Sequence, residues 1–466
     1  MVFSGLTFLL LFLPLLLLLY FVSGNLRWRN GVLVVFSLVF YAWGEPVMVW
    51  LMVLSTLVNF LCAKAIGKCR KKRQKRLWLA VGAVISLAGL VYFKYFGFLL
   101  ESLGNLLGLS IPFTAPTQPI GISFYTFQIL TYTVDVYRKK VPVQKSFWRL
   151  LLYVSCFPQL IAGPIVQYGD IAESLDKRTS TLKDFTEGMR RFFLGLGKKV
   201  LLANVCGAAL NECVQGGGRN VLSFGGAWLA ALLYTLQLYY DFSAYSDMAI
   251  GLGRVLGFTY KENFLYPYIS LSPSEFWRRW HISLGAFFRD YVYIPLGGNR
   301  RGKLRTVFNL FVVWFLTGLW HGASWNFVLW GLYWFLLQQI DKAVPKDIQA
   351  AIPKVLRGCI TFILANIGWV LFYYTDFTAL GQHLSALFSS AGGWIDEKAL
   401  AVLGQYGLFL PVALLGCFPW LPALKKKVGK SQGAYLLGTL LSVAVGVLSV
   451  LYLICQSYNP FIYFRF

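Results

Sequence analysis

The sequence predicts an all-α protein that crosses a membrane many times. Three observations carry that reading. Of its 466 residues, 57% are hydrophobic, 17% aromatic and only 13% charged, and the mean hydropathy is +0.61. Apolar runs long enough to span hydrocarbon as helices recur from end to end. The basic residues gather in short stretches between those runs, as the positive-inside rule expects. Within a bilayer every backbone polar group must be bonded internally, which leaves helices or a closed barrel. Barrel strands alternate polar and apolar positions, and these runs are solidly apolar. Ten to twelve spanning helices are expected.

Composition also excludes classes. The length would accommodate two or three soluble domains, but little soluble-type sequence is present. The formal charge of +24 does not point to nucleic acid, because no basic domain is left to grip a phosphate backbone. The eight cysteines are Cys62, Cys69, Cys156, Cys206, Cys213, Cys359, Cys417 and Cys455, with no CxxC pair among them. They read as small buried hydrophobes, and no metal site is expected.

Residues 3–22 form an apolar run with no basic residue before them. A secretory signal would carry a positive n-region, so an uncleaved first helix is expected. Further runs cover 31–43 and 47–67. The stretch KCRKKRQKR at 68–76 has seven Lys/Arg in nine positions and is placed in the cytoplasm. Counting outward, 101–118 has no Lys or Arg and falls outside, and Arg138, Lys139 and Lys140 fall inside. Arg27 and Arg29 then fall inside and the N-terminus outside. KKKVGK at 425–430 reads as inside, so a helix over 433–455 leaves the C-terminus outside.

The middle of the chain is less regular. FPQLIAGPIVQYGD (157–170) holds two prolines and two glycines. It reads as a broken or re-entrant segment, tolerable only where protein surrounds it. Residues 183–200 place Phe185, Met189, Phe192, Phe193, Leu196 and Val200 on one helical face, with Arg190, Arg191, Lys198 and Lys199 on the others. That pattern predicts an amphipathic helix lying at the cytoplasmic interface, with a short spanning helix as the alternative. Residues 377–403 read as an outer loop, with a solvated His383. The C-terminal NPFIYFRF reads as an exposed aromatic segment that could dock a partner or anchor at the interface. No internal repeat is evident, which weighs against an inverted-repeat transporter.

The stretch from Glu275 to Trp334 concentrates the chemistry. It holds two of the three histidines, His281 and His321, among tryptophans, with Arg300, Arg301, Lys303 and Arg305 between them. An ionisable group in an apolar, helix-length segment is costly and marks a functional candidate. A buried neutral imidazole can accept a proton. The alternative for His321 is a core histidine bonded to a helix carbonyl. His281, beside Arg278 and Arg279, is a second base, an orienting group or a structural histidine. No Ser-His-Asp spacing and no GxSxG elbow is present. DFSAYSDMAIG (241–251) sets Asp241 and Asp247 in an apolar run with Tyr245. These acids either carry protons, as in a transporter, or neutralise nearby arginines and line a polar tunnel. Guanidinium groups from Arg278 to Arg305 either mark the cytoplasmic face or grip the phosphates of an anionic donor.

Several long blocks together resemble one family. They are PIGISFYTFQILTYTVDVYR (119–138), FPQLIAGPI (157–165), DFSAYSDMAIG (241–251), ENFLYPY (262–268), EFWRRWHISLGAFFRDYVYIPLGG (275–298), LTGLWHGASWNFVLWG (316–331) and PFIYFRF (460–466). The sequence resembles the membrane-bound O-acyltransferases, in the bacterial branch concerned with alginate O-acetylation, over nearly the whole chain. The resemblance implies one transmembrane domain over 1–466, with N-terminal helices to 118, a catalytic core at 119–341 and C-terminal helices from 342. It implies a ring of tilted helices, with re-entrant and interfacial helices, around a central tunnel. His321 matches the family's catalytic histidine and His281 its second histidine. Trp320, Trp325, Asn326, Asp241 and Tyr245 would shape the tunnel, and Arg278, Arg279 and Arg289 would hold the donor.

The implied reaction moves an acetyl group from a cytoplasmic thioester, acetyl-CoA as substrate and with no bound cofactor, across the bacterial cell membrane toward an extracytoplasmic polysaccharide. A partner with a serine-hydrolase-like (SGNH) domain would complete the transfer. D-alanyl transfer to teichoic acid, a transporter without acyl chemistry and an inactive scaffold are the rival readings.

Overall fold

The computed structural model describes residues 1–109, 111–114, 116–161, 163–214, 222–420, 422–424, 431–456 and 458–462. The basic run 425–430 and the tail 463–466, on which two topology expectations rest, lie outside them. Among the described residues every regular element is helical. The chain forms two compact units. The first is Met1–Phe193 with Tyr245–Lys261, and the second is Leu194–Ala244 with Glu262–Phe466.

Among the described residues, five helices are long and apolar enough to cross a membrane: Met48–Lys68, Lys72–Leu107, Leu182–Val214, Lys354–Tyr373 and Gln432–Cys455. Glu397–Tyr406 and Phe409–Leu415, bent by 72°, make a sixth if they form one span. Shorter apolar helices such as Phe8–Phe21 fall below this length. An apolar run does not announce whether it faces lipid or protein. Ile122–Tyr137, for instance, is 16 residues long and buried on nearly every side. Residues 183–200, expected to lie along the interface, are instead part of the continuous Leu182–Val214 helix. Its first part is amphipathic, but the π-helical turn Lys198–Ala203 carries it on into the apolar Asn204–Val214.

In the Gln432–Cys455 helix, Leu436, Leu440, Val443, Val447, Leu451 and Ile454 are exposed, and Ser442, Gly446 and Ser449 are buried. Large apolar side chains outward and small ones inward is the inverse of a soluble protein. It is the pattern of a helix solvated by lipid. The chain is a multi-pass membrane protein.

In the first unit, Phe3, Phe8, Phe12, Phe40 and Phe157 pack ring against ring at 4.9–6.1 Å. Phe157 begins a single helical turn, Phe157–Leu160, buried throughout, and Ile161, Ile165 and Val166 beyond it are buried too. The broken segment is thus surrounded by protein from Phe157 to Val166, apart from Ala162, which lies outside the described residues, and Gly169 near its end is exposed. Arg178 is buried, with its guanidinium donating to the carbonyls of Leu256 and Ser174, to Asn30 Oδ1 and to Tyr20. Helix-terminal carbonyls carry partial negative charge, which suits a buried cation.

In the second unit, the helices Lys303–His321 and Trp325–Ala343 form a tight hairpin. Gly318 and Gly331 set its spacing. A Cβ on Gly318 would collide with the Phe327 carbonyl, and one on Gly331 with the Trp314 carbonyl. Beside the hairpin, Phe276 stacks on Trp334 at 5.1 Å, and Trp277 meets Trp314 at 4.8 Å.

His383 is not solvated. It is 3% exposed, on the Phe377–Phe388 helix, in a segment that folds as helices rather than an outer loop. The Ala227 carbonyl can only accept, so His383 Nε2 donates to it (3.1 Å) and Nδ1 accepts from the Tyr374 hydroxyl (2.9 Å). Burial pushes this imidazole down to about 4, so it is a neutral structural histidine.

Replacing Gly318 with Val should force the hairpin apart and lower stability by about 1–3 kcal/mol, the usual cost of overpacking. Gly404, with open space around its Cα, should tolerate Ala. Thermal unfolding of the purified protein in detergent compares the two.

Candidate active site

His321 ends the Lys303–His321 helix, where the hairpin turns through Gly322. It is 6% exposed, and its ring meets those of Trp320, Trp330 and Phe372 edge-on at 4.9–5.0 Å. The imidazole forms part of the wall of a cavity in the second unit. The other lining residues are Leu238, Asp241, Phe242, Trp280, Trp369, Phe372, Phe461 and Ile462. The walls are aromatic and aliphatic, with His321 and Asp241 as the ionisable exceptions.

Asp241 is neutralised on the spot. Lys199 Nζ lies 2.5 Å from its Oδ1, and both residues are 3% exposed. Asp241 Oδ2 accepts from the Ile462 backbone N–H at 2.9 Å, and Lys199 Nζ also donates to the Pro460 carbonyl. The buried pair therefore fixes residues 460–462 against the cavity, where Phe461 and Ile462 are buried. That part of the C-terminal segment is not exposed, contrary to the sequence expectation. Asp247, in the first unit, pairs with Arg191 at 2.8 Å. The neutralising reading of the acids holds in geometry for both, although Asp241 takes a lysine rather than an arginine.

His281 lies in the second unit as well. It is 1% exposed and surrounded by Phe242 (4.7 Å between ring centroids), Trp320 (5.6 Å) and Phe264 (6.3 Å). Trp320 thus touches both histidines. The His281 backbone has φ 46°, a left-handed conformation that costs a non-glycine residue about 1–3 kcal/mol. Asn263 holds it there. The Asn263 carbonyl accepts from Ile282 N–H at 3.0 Å, and its side-chain oxygen accepts from Ser283 N–H at 3.1 Å. Burial pushes the His281 imidazole down to about 3.

The remaining sequence candidates scatter. Asn326 is buried and donates weakly to the Phe372 carbonyl (3.5 Å), behind the cavity wall. Trp325 is 51% exposed and does not line the cavity. Tyr245 is in the first unit, stacked on Phe3 at 4.5 Å. Arg279 pairs with Glu275 (2.8 Å) and Arg289 with Asp290 (2.7 Å). Arg278 is exposed and donates to the Ser274 carbonyl. Arg300, Arg301, Lys303 and Arg305 are all exposed, and Asn309 pins their turn through the Gly298 carbonyl at 2.9 Å.

Sequence reasoning missed Lys199, Asn263, Trp369, Phe372 and the placement of Phe461. Only Asn263 carried a usable signal, a polar side chain inside the aromatic block ENFLYPY.

Replacing Lys199 with Met leaves a buried, uncompensated carboxylate, at an expected cost of about 3–5 kcal/mol. Adding Asp241→Leu should recover part of that loss, so the two effects should be less than additive in thermal unfolding.

Known proteins match this chain over long stretches. The model of the membrane-bound O-acyltransferase family matches residues 35–380. A probable alginate O-acetylase of Pseudomonas putida is 39% identical over the full length of both chains. A protein of the same description from Pseudomonas aeruginosa is 42% identical over 84% of this chain and 76% of its own. A peptidoglycan O-acetyltransferase of Helicobacter pylori is 35% identical over 78% of this chain and 75% of its own. A multi-pass helical protein that buries a histidine in an aromatic cavity, and matches these relatives at such length, belongs to the membrane-bound O-acyltransferase family and is an acyltransferase.

Proposed function

We propose that this protein transfers an acetyl group from a cytoplasmic thioester, acetyl-CoA in the simplest case, toward the hydroxyls of an extracytoplasmic polysaccharide. The observation that carries the reading is the burial of His321 in the wall of an aromatic cavity. In the proposed chemistry His321 takes the proton of an acceptor hydroxyl as its oxygen attacks the thioester carbonyl. The C–O bond forms, the C–S bond breaks, and the proton on His321 leaves with the thiolate. Base catalysis of this kind contributes roughly 10²–10⁴ in rate. The rest must come from holding donor and acceptor in line, which a confined cavity does. His281 orients the acceptor.

The relatives' names favour an acetyl group and a glycan acceptor. An acceptor outside the cell needs the donor and acceptor to meet from opposite faces, which suits a base buried between them. On this reading 68–76 faces the cytoplasm, both termini face outward, and a separate partner with a serine-hydrolase-like domain delivers the acetyl group to the polymer. Donor phosphates are better served by Arg300, Arg301, Lys303 and Arg305 than by Arg279 and Arg289, whose guanidiniums are already engaged by acids.

Labelled acetyl-CoA supplied to the cytoplasmic side should place label in surface polymer with the wild-type protein. His321→Ala, at matched membrane levels, should lose about 10²-fold or more of that incorporation. Incorporation that survives the substitution would make His321 structural. The double variant Arg300→Ala/Arg301→Ala should raise the KM for the donor with little change in kcat, and Arg289→Ala should leave KM near the wild-type value. Initial rates across donor concentrations separate these outcomes.

A further inference from the structure

Asn263 determines more than the backbone at His281. Its side-chain oxygen accepts from the Ser283 backbone N–H (3.1 Å) and the Ser283 hydroxyl (2.9 Å), and it faces His281 Nδ1 at 3.3 Å. A backbone N–H can only donate, so the amide atom at this position is the oxygen and not the nitrogen. An amide oxygen can only accept, so the ring nitrogen facing it carries a hydrogen. A neutral imidazole with Nδ1–H has a bare lone pair on Nε2. That Nε2 is buried and has no hydrogen-bond partner among the described residues. The ring sits among Phe242, Phe264 and Trp320, none of which hydrogen-bonds this nitrogen, and Phe242 also lines the cavity that holds His321. A buried polar atom left open in this way calls for a ligand that donates a hydrogen bond.

We propose that Asn263 is the positioning residue that locks His281 in the Nδ1–H tautomer, so that its buried Nε2 accepts a hydrogen bond from a hydroxyl of the acyl acceptor. The identity of the donor as an acceptor alcohol rests on the acyl-transfer reading. The tautomer does not, and the two can be tested apart. The arrangement is the reverse of that at His383, where Nε2 donates to the Ala227 carbonyl. The chain therefore contains its own reference for the opposite tautomer.

With three histidines in the sequence, the full-length protein labelled with ¹⁵N-histidine and held in lipid nanodiscs gives a spectrum simple enough to assign. His281→Asn identifies the signals of His281 by their loss. Wild type should show Nδ1 of His281 protonated and Nε2 bare, with the opposite pattern at His383. Asn263→Leu should shift His281 to the Nε2–H tautomer and lower acetyl transfer roughly 10-fold or more, the scale seen when a group that orients an imidazole is removed. Asn263→Asp keeps an acceptor oxygen at the same position and should restore Nδ1–H and most of the rate. An Nε2–H tautomer in the wild type, or unchanged tautomer and rate in Asn263→Leu, would overturn the proposal. If Asn263→Leu does not accumulate, the wild-type spectrum and Asn263→Asp still decide. A protein that transfers no acyl group at all would sink the acyl-transfer reading, and the spectrum would still report the tautomer.

Discussion

Asp241 places a carboxylate in the wall of an aromatic cavity, far from water. Such a charge is tolerable only if another group compensates it nearby. Lys199 does so, and the backbone of Pro460 and Ile462 adds one hydrogen bond to each member of the pair. One electrostatic requirement thus draws together three distant parts of the sequence: a helix near residue 200, the helix carrying DFSAYSDMAIG, and the C-terminal segment. The cavity beside His321 is partly walled by what this pair holds. Removing the charge would release residues 460–462, and removing those residues would leave backbone partners of the pair missing.

Several other buried polar groups meet the same demand. Arg178 collects carbonyls, an amide and a hydroxyl in the first unit. His383 uses both ring nitrogens. Asn263 satisfies two backbone donors while it holds a left-handed histidine. His281 Nε2 differs from these groups in having no hydrogen-bond partner among the described residues. Proteins rarely leave a buried acceptor open, and here the open atom lies one aromatic ring away from the cavity histidine. The three histidines are chemically alike in the sequence and differ in what surrounds each ring.

Close packing supplies the rest of the positioning. Gly318 and Gly331 let two helix backbones approach, and this places His321 at a helix end facing Phe372 and Trp330. Tryptophans around the hairpin exclude water and fill space with stiff side chains, so the imidazole has few alternative rotamers. An enzyme that relies on alignment more than on strong chemistry needs this rigidity.

Periodicity, composition and motif blocks determined the class of this protein: a helical, multi-pass acyltransferase, with two of its three histidines between Glu275 and Trp334. Those properties are local, and a reader of the sequence can see them because lipid imposes length and apolarity residue by residue. The tertiary structure decided which apolar runs face lipid and which pack inside, since both need the same side chains. It decided that His383 is buried, that Trp325 faces outward, and that Arg279 and Arg289 are already paired. It also supplied Lys199, Asn263, Trp369, Phe372 and Phe461, whose roles depend on partners up to about 260 residues away, as Lys199 and Pro460 are. A carboxylate's partner, a ring's tautomer and a cavity's wall are properties of the space around a residue, and no spacing along the chain encodes them.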